Sequence, residues 1–219
     1  MLSWLPENVS TYGGDIDFLF YLIYYITGVT FLLVAAAMVT FLVLYRHREG
    51  RRATYLHGHT KLEITWTIVT ALIMVILTFL SRPLWGKIKQ EAPPADLQVR
   101  VTAKQFNWEI LYPGPDGQFG TADDLQMDNE LHVPVNRVVH VFLTSKDVIH
   151  SFFLPNLRLK QDAVPGRVIK AWFQATKPGE YEIPCAELCG FGHSGMLGYL
   201  IVHPPEDYQK WVREQWPSP

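Results

Sequence analysis

The sequence predicts a two-helix membrane hairpin followed by an all-β domain. Three observations lead to this fold class. Two long apolar runs lie within the first 90 residues, and neither contains a charged residue. A stiff Pro-Pro linker follows them. Short runs rich in β-branched and aromatic residues, separated by Pro-Gly turns, fill the remainder of the 219-residue chain. With 48% hydrophobic and 18% charged residues, the composition excludes a disordered protein.

The two apolar runs are long enough to span a bilayer. The first extends from about Phe18 to Tyr45 and exceeds the ~20 residues that the hydrocarbon core requires. The second starts at Ile64, and we predict spans of about 18–45 and 64–85. A cleaved signal peptide is disfavoured because the first run is too long and follows acidic residues. A buried helical hairpin in a soluble protein is the remaining alternative, and two uncharged runs of this length disfavour it.

The loop between the two runs sets the expected topology. It contains Arg46, Arg48, Arg51 and Arg52, so the positive-inside rule places it in the cytoplasm. Residues 1–90 are then a transmembrane hairpin, and residues 91–219 are a domain on the periplasmic side of a bacterial inner membrane. The first part carries a net charge of +3 and the second −5. Because no basic stripe spans the chain, nucleic-acid binding has no electrostatic basis.

Alternating or β-branched segments in the second part predict a sandwich or barrel with Greek-key connections. The predicted strands are Leu97–Ala103, Arg137–Thr144, Arg167–Phe173, Glu180–Ile183 and Met196–His203. Pro204–Trp216 has the pattern of a short terminal amphipathic helix. The segment Tyr112–Asp124 contains three aspartates that could hold calcium, but their spacing is not that of an EF-hand, and a solvated hairpin loop is the better interpretation.

One short segment carries the chemistry. Cys185, Cys189, His193 and Met196 lie within twelve residues, and His150 lies upstream. Sulfur and imidazole ligands favour copper or zinc over magnesium or calcium. A Cys₂His₂ zinc site is closed by its four ligands and does not include a methionine. Electron-transfer copper sites, in contrast, use a methionine thioether as a weak ligand. Two cysteines provide two sulfurs that can each bridge, so two coppers can share them.

Other interpretations of these residue types are less specific. The two cysteines alone would also fit a disulfide in an oxidising compartment. The six remaining histidines are interpreted as solvent-exposed or packing residues. They are His47, His57, His59, His132, His140 and His203.

The sequence Cys-Ala-Glu-Leu-Cys-Gly-Phe-Gly-His-Ser-Gly-Met at 185–196 resembles the dinuclear copper A motif of cytochrome c oxidase subunit 2. Val-Ile-His-Ser-Phe at 148–152 and Leu-Lys-Gln-Asp-Ala-Val-Pro-Gly-Arg at 159–167 also match segments of that family. The resemblance covers nearly the whole chain. It implies a cupredoxin-like Greek-key domain on a membrane hairpin, with two copper ions as cofactor.

The resemblance also assigns metal ligands. It implies that Cys185 and Cys189 bridge the two coppers and that His150 and His193 each bind one of them. Met196 and the backbone carbonyl of Glu187 would be weak ligands. In the family, the side chain at the Glu187 position binds magnesium or manganese at the boundary with subunit 1. An ordinary hydrogen-bonded loop carboxylate is the alternative for that side chain.

An aromatic segment receives the electron in this family, and Gln105-Phe-Asn-Trp108 corresponds to it. Phe106 replaces the first tryptophan of the family pattern, and Trp108 corresponds to the second. The alternative is that both are core aromatics of a strand. The chain contains no Cys-x-x-Cys-His haem attachment motif, so the donor is expected to be a separate chain. The net −5 of the second part would steer a basic donor.

The implied function is that of the subunit that receives electrons in a terminal haem-copper oxidase. It would take them from cytochrome c and pass them to haem in subunit 1, where oxygen is reduced to water and protons are pumped. Glu63 corresponds to a glutamate at the mouth of a proton-uptake channel; the alternative is an ordinary charged residue at the membrane edge. The alternative functions are a copper A subunit of a nitric oxide reductase-type enzyme, a membrane-bound copper carrier, or a quinol oxidase subunit, whose relatives lack the copper ligands.

Overall fold

The computed structural model describes residues 5–217, and it begins with two long helices. Helix α1 comprises Gly13–Leu44 and helix α2 comprises Thr60–Lys89. At 1.5 Å per residue, 32 and 30 residues give lengths of about 45–48 Å, more than a bilayer core requires. By length and composition both helices can cross a membrane. The predicted span 64–85 lies inside α2, and the predicted span 18–45 lies inside α1 except for Tyr45, which follows the last residue of that helix. Polar flanking residues extend α2 at both ends and α1 at its start.

Both helices present apolar side chains outward along their length. No residue of α2 is buried, and Gly13 is the one buried residue of α1. Threonine hydroxyls inside the helices donate to the carbonyl four residues earlier, as Thr27 does to Ile23 and Thr40 to Ala36. These bonds satisfy the hydroxyls without water, as a lipid environment requires. The helices therefore have the surface of a two-pass membrane anchor.

The remainder of the described chain is a β domain followed by a short helix. Its strands are β1 (Leu97–Lys104), β2 (Asn107–Tyr112), β3 (Leu125–Asp128), β4 (Glu130–Pro134), β5 (Val138–Ser145), β6 (His150–Leu154), β7 (Leu159–Ala163), β8 (Ile169–Gln174), β9 (Gly179–Pro184) and β10 (Leu197–His203). Helix α3 comprises Pro205–Gln215. The sequence therefore predicts half of the strands and the terminal helix within a few residues.

The strands form a five-stranded, a three-stranded and a two-stranded sheet. Their orders are β3-β2-β1-β5-β8, β4-β10-β9 and β6-β7. Strands β1 and β5 pair in parallel although they are not consecutive, as do β4 and β10, so the chain crosses between sheets. These crossovers agree with the predicted Greek-key class.

The core lies between the sheets and follows the period-two pattern of the strands. Inward residues of β1 and β5 are fully buried, among them Val99, Val101, Val141 and Leu143. The N-terminal segment also contributes to this core, because Val9 is buried and its backbone N–H donates to the Asn156 carbonyl at 2.9 Å. A rigid, dry sheet core of this kind fixes the ends of the strands from which the site is built.

Helix α3 packs over a pair of histidines. A ring nitrogen of His132 lies 2.8 Å from one of His203, and the Trp211 ring stacks on His132 at 4.8 Å. His140 donates its Nε2–H to the Pro93 carbonyl at 2.8 Å. These three histidines are therefore packing residues of the domain.

The segment predicted as a hairpin loop connects β2 and β3, which are antiparallel neighbours. Its aspartates accept hydrogen bonds from the loop itself: Gly120 N–H donates to Asp124 at 2.7 Å, and the Thr121 hydroxyl donates to Asp123 at 2.7 Å. Trp216 closes the loop by donating its indole N–H to the Asp123 carbonyl at 2.7 Å. This arrangement is that of a self-bonded hairpin loop.

Candidate metal centre

Two buried thiols form the middle of the candidate site. Cys185 directly follows β9, and Cys189 lies four residues later in the loop that leads to β10. Their sulfurs are 3.8 Å apart and both are free. A disulfide requires about 2.05 Å, so the structure does not show the alternative of a disulfide between them.

His150 comes to these sulfurs from a different element. It is the first residue of β6, is fully buried, and places its Nδ1 at 3.9 Å from the Cys185 sulfur. Its Nε2–H donates to the Asp147 carboxylate at 2.8 Å. That bond fixes the tautomer in which Nδ1 carries a lone pair, the form in which imidazole binds a metal.

The second imidazole and two weaker donors complete the group. His193 Nδ1 is 3.5 Å from the Cys189 sulfur, and the Met196 thioether sulfur is 3.9 Å from it. The Glu187 carbonyl oxygen lies 3.3 Å from the Cys185 sulfur. Each sulfur is thus flanked by one ring nitrogen and one weaker donor.

The electrostatics of the site favour a bound cation. Burial and the neighbouring Cys185 raise the pKa of the Cys189 thiol to about 11. Partial burial raises the pKa of Asp147, but hydrogen bonds from His150 and from the backbone N–H groups of Gln105 and Val148 outweigh it and lower that pKa to about 2. A metal ion would replace the thiol protons and leave Asp147 as the fixed counter-charge behind His150.

The donor set fits copper better than zinc. Within residues 5–217, His150, Cys185 and Cys189 form the one group of three such side chains whose ligand atoms all lie within 4.8 Å of one another. A closed zinc site would need one further strong ligand, and His193 could supply it, but the buried thioether of Met196 would then have no role. Soft sulfur with imidazole and a weak thioether is the ligand set of copper electron-transfer sites.

The two aromatic residues predicted to receive electrons occupy different environments. Trp108 is fully buried in β2, donates its indole N–H to the Ile183 carbonyl at 3.1 Å, and lies 6.2 Å from the His150 ring. Phe106 is 38% exposed at the tip of the β1–β2 hairpin. Its ring covers Gly192, where an added Cβ would lie 2.5 Å from Phe106 Cδ2. Residues 185–196, between β9 and β10, are called the cysteine loop below. Of the two aromatic residues, only Phe106 is at the surface above this loop.

Two predicted carboxylates lie apart from the sulfurs. The Glu187 side chain is exposed, although its carbonyl faces Cys185. Glu63 lies in the first turn of α2, and its Oε1 accepts the His59 backbone N–H at 3.4 Å. That bond gives Glu63 a local function at the helix start in addition to any role in proton uptake.

Two family descriptions match most of the chain. The description "Cytochrome C oxidase subunit II, periplasmic domain" matches residues 98–202, and "Cytochrome C oxidase subunit II, transmembrane domain" matches residues 5–84. The chain belongs to the cytochrome c oxidase subunit II family. It is thus a subunit of a haem-copper oxidoreductase, and this family membership implies a copper A centre.

Curated relatives named as cytochrome c oxidase subunit 2 align with most of the length of this subunit II chain. It is 31% identical to the alternative cytochrome c oxidase subunit 2 of Bradyrhizobium diazoefficiens, over 97% of this chain and 83% of the relative. It is 34% identical to cytochrome c oxidase subunit 2 of Cereibacter sphaeroides, over 88% of this chain and 75% of the relative. These names do not favour the nitric oxide reductase alternative.

A solved structure supports the fold of the β domain. The crystal structure of the periplasmic domain of subunit II of cytochrome oxidase from Bradyrhizobium japonicum aligns with a TM-score of 0.51 at 36% identity. It covers 57% of this chain and 96% of that one. The predicted class, a membrane hairpin followed by a cupredoxin-like domain, is therefore confirmed.

Sequence reasoning missed two residues that support the subunit II site. Asp147 orients His150, and Gln105 donates its side-chain N–H to the Cys189 carbonyl at 2.6 Å. The spacing Asp-x-x-His was a visible signal for the first contact. The second contact joins positions 84 residues apart and leaves no local signal.

Replacing Asp147 by alanine should weaken copper binding by about 10- to 100-fold, because such partners orient the imidazole ligand. Competition with a copper chelator on the full chain in detergent measures this change. Asp128→Ala, at an exposed position of β3, is the matched control and should bind like the unmodified chain. Equal copper affinity in all three proteins would contradict the role given to Asp147.

Proposed function

We propose that this chain receives electrons one at a time at a dinuclear copper A centre held by Cys185, Cys189, His150, His193, Met196 and the Glu187 carbonyl. The convergence of two thiols, two ring nitrogens and a thioether around one sulfur pair carries the proposal. Two copper ions at this position would supply a one-electron carrier. The electrons would go on to haem in subunit 1, where oxygen is reduced to water and protons are pumped.

The protein's contribution is to hold the ligands still. His150 starts one strand, while the cysteines and His193 lie between two others, so their separation is set by the sheet core. Burial of His150, Cys189 and Met196 excludes water from that side of the site. Ligands fixed before and after each electron transfer need little rearrangement, which favours fast transfer.

The donor is proposed to be cytochrome c or a chain that contains it, approaching at Phe106. Exposed apolar side chains of Leu188 and Phe191 lie in the loop beneath that ring. Beside it, Glu109 forms ion pairs with both Lys104 and Lys146, which balances part of the local charge. The net −5 of residues 91–219 would attract a basic donor from a distance, and apolar contact would hold it.

Localisation, domain limits and the carboxylate roles belong to the same proposal. Residues 1–90 would anchor the chain in the bacterial inner membrane, with residues 91–219 in the periplasm. The arginine-rich loop between α1 and α2 supports this orientation. The exposed Glu187 side chain would bind magnesium at the contact with subunit 1, and Glu63 would lie at the mouth of a proton channel of that subunit.

The absorption and electron-spin spectra of the copper-loaded full chain in detergent test the centre itself. We expect a purple, delocalised mixed-valence signal, because two copper ions held by Cys185 and Cys189 would share one unpaired electron. Cys189→Ser should abolish that signal, and His57→Asn, in the exposed loop between the helices, should leave it unchanged. A blue single-copper spectrum, or a chain that binds only zinc, would reject the proposal.

Turnover of the assembled oxidase tests Glu63. Glu63→Ala should slow oxygen consumption while the copper spectrum stays intact. Glu63→Gln separates the two roles of the residue, because it keeps an oxygen that can accept from His59 N–H but cannot carry a proton. We expect both variants to be slow and Glu49→Ala, in the preceding loop, to be normal. Normal turnover in Glu63→Gln would limit Glu63 to capping the helix.

A further inference from the structure

The two halves of the cysteine loop are attached to the domain in different ways. The half that contains Cys185 is bonded to neighbouring backbone: Cys185 N–H donates to the Met196 carbonyl at 3.1 Å and Ala186 N–H to the Ser151 carbonyl at 2.9 Å. Ser151 follows His150 in β6. The sheet therefore fixes Cys185 and His150 relative to each other directly.

The half that contains Cys189 and His193 has a backbone bond to Met196, whose N–H donates to the His193 carbonyl at 3.2 Å, but none to another strand. Its backbone bonds stay within the loop, as in His193 N–H to the Gly190 carbonyl at 3.1 Å and Gly195 N–H to the Gly192 carbonyl at 3.0 Å. Across the described residues 5–217, the bond from Gln105 Nε2–H to the Cys189 carbonyl, at 2.6 Å, is the one hydrogen bond that joins residues 187–193 to a residue outside the loop 185–196.

Gln105 also reaches the other side of the site. Its backbone N–H donates to the Asp147 Oδ2 at 2.6 Å, and the Oδ1 of the same carboxylate accepts from His150. One residue at the hairpin tip thus contacts the carbonyl of one cysteine and the carboxylate that orients the opposite imidazole.

The loop backbone is shaped to allow this approach. A Cβ at Gly190 would lie 2.7 Å from Gln105 Nε2, and the φ of Gly190 is +139°, a conformation that side chains rarely adopt. A Cβ at Gly192 would overlap the Phe106 ring next to it. Both glycines therefore let the hairpin tip lie directly on the loop.

We propose that Gln105 is a positioning residue of the centre: it ties the segment that carries Cys189 and His193 to the Asp147–His150 pair. The expected effect on the copper centre rests on the proposed copper A function. The two hydrogen bonds of Gln105 do not depend on a bound metal. By fixing the Cys189 carbonyl, Gln105 limits the movement of the Cys189 sulfur and of His193. It also joins the donor-facing hairpin to a proposed ligand residue.

Gln105→Met tests this role, because methionine has nearly the size of glutamine but no N–H to donate. The backbone bond to Asp147 remains in that variant. In the metal-free full chain in detergent, the amides of His193, Gly195 and Met196, which donate to carbonyls of this segment, should exchange with deuterium about fivefold faster, on the order expected for one lost hydrogen bond. Gln98→Leu, exposed on β1 of the same hairpin, is the matched control and should exchange like the unmodified chain.

Gln105→Glu provides a second variant that keeps the length of the side chain. Its carboxylate would face the Cys189 carbonyl without a donor, so exchange of the same amides should be at least as fast as in Gln105→Met. With copper bound, both variants should release the metal to a chelator faster than Gln98→Leu and should shift the midpoint potential of the centre.

The outcomes separate this proposal from the proposed function. Unchanged amide exchange and unchanged copper release in both Gln105 variants would overturn the positioning role, even if the mixed-valence spectrum is normal. A chain that binds no copper pair would reject the proposed function, while faster exchange in the metal-free variants would still establish the tie.

Discussion

The account depends on two buried sulfurs held 3.8 Å apart without a bond between them. Uncharged thiols in such a position gain little from each other, and burial raises the pKa of the Cys189 thiol to about 11, which keeps that thiol protonated. The arrangement becomes favourable when a metal replaces the protons. The ring nitrogens of His150 and His193, one beside each sulfur, and the Met196 thioether are arranged around that pair.

The sheet gives this arrangement its stiffness. His150 begins β6, and the cysteine loop joins β9 to β10, so the ligands come from elements whose cores are closely packed. An isolated antiparallel β-bridge between Phe152 of β6 and Cys185 joins β6 to the cysteine loop beside the site. Trp108, buried against both Phe152 and His150, fills the space beneath the imidazole. The Trp108 indole therefore supports the His150 ring from inside the domain. Phe106, unlike Trp108, reaches the surface.

The sequence predicted those features that are encoded locally. The two apolar runs marked the membrane helices, and the metal donors were visible because four of them lie within twelve residues. Five strands were found from their β-branched and aromatic residues. Strand β6 was missed because four of its five residues are buried, which removes the alternating pattern. The start of α1 and both ends of α2 were missed because the polar residues there carry no hydropathy signal.

Contacts between distant parts of the chain could not be predicted from one sequence. Gln105 and Asp147 are 42 positions apart, and Gln105 and Cys189 are 84 apart. Only the folded sheet brings the hairpin tip over the loop. The same limit applies to His132 and His203, which are 71 positions apart and face each other under α3.

X-ray absorption at the copper edge of the assembled oxidase is the most direct measurement of the central claim. The account predicts two coppers per chain at this site, each with sulfur and nitrogen neighbours, and a copper–copper scattering contribution. Cys185→Ser should remove that contribution. A site with one copper and no metal–metal scattering, or sulfurs of Cys185 and Cys189 bonded to each other in the purified enzyme, would contradict it.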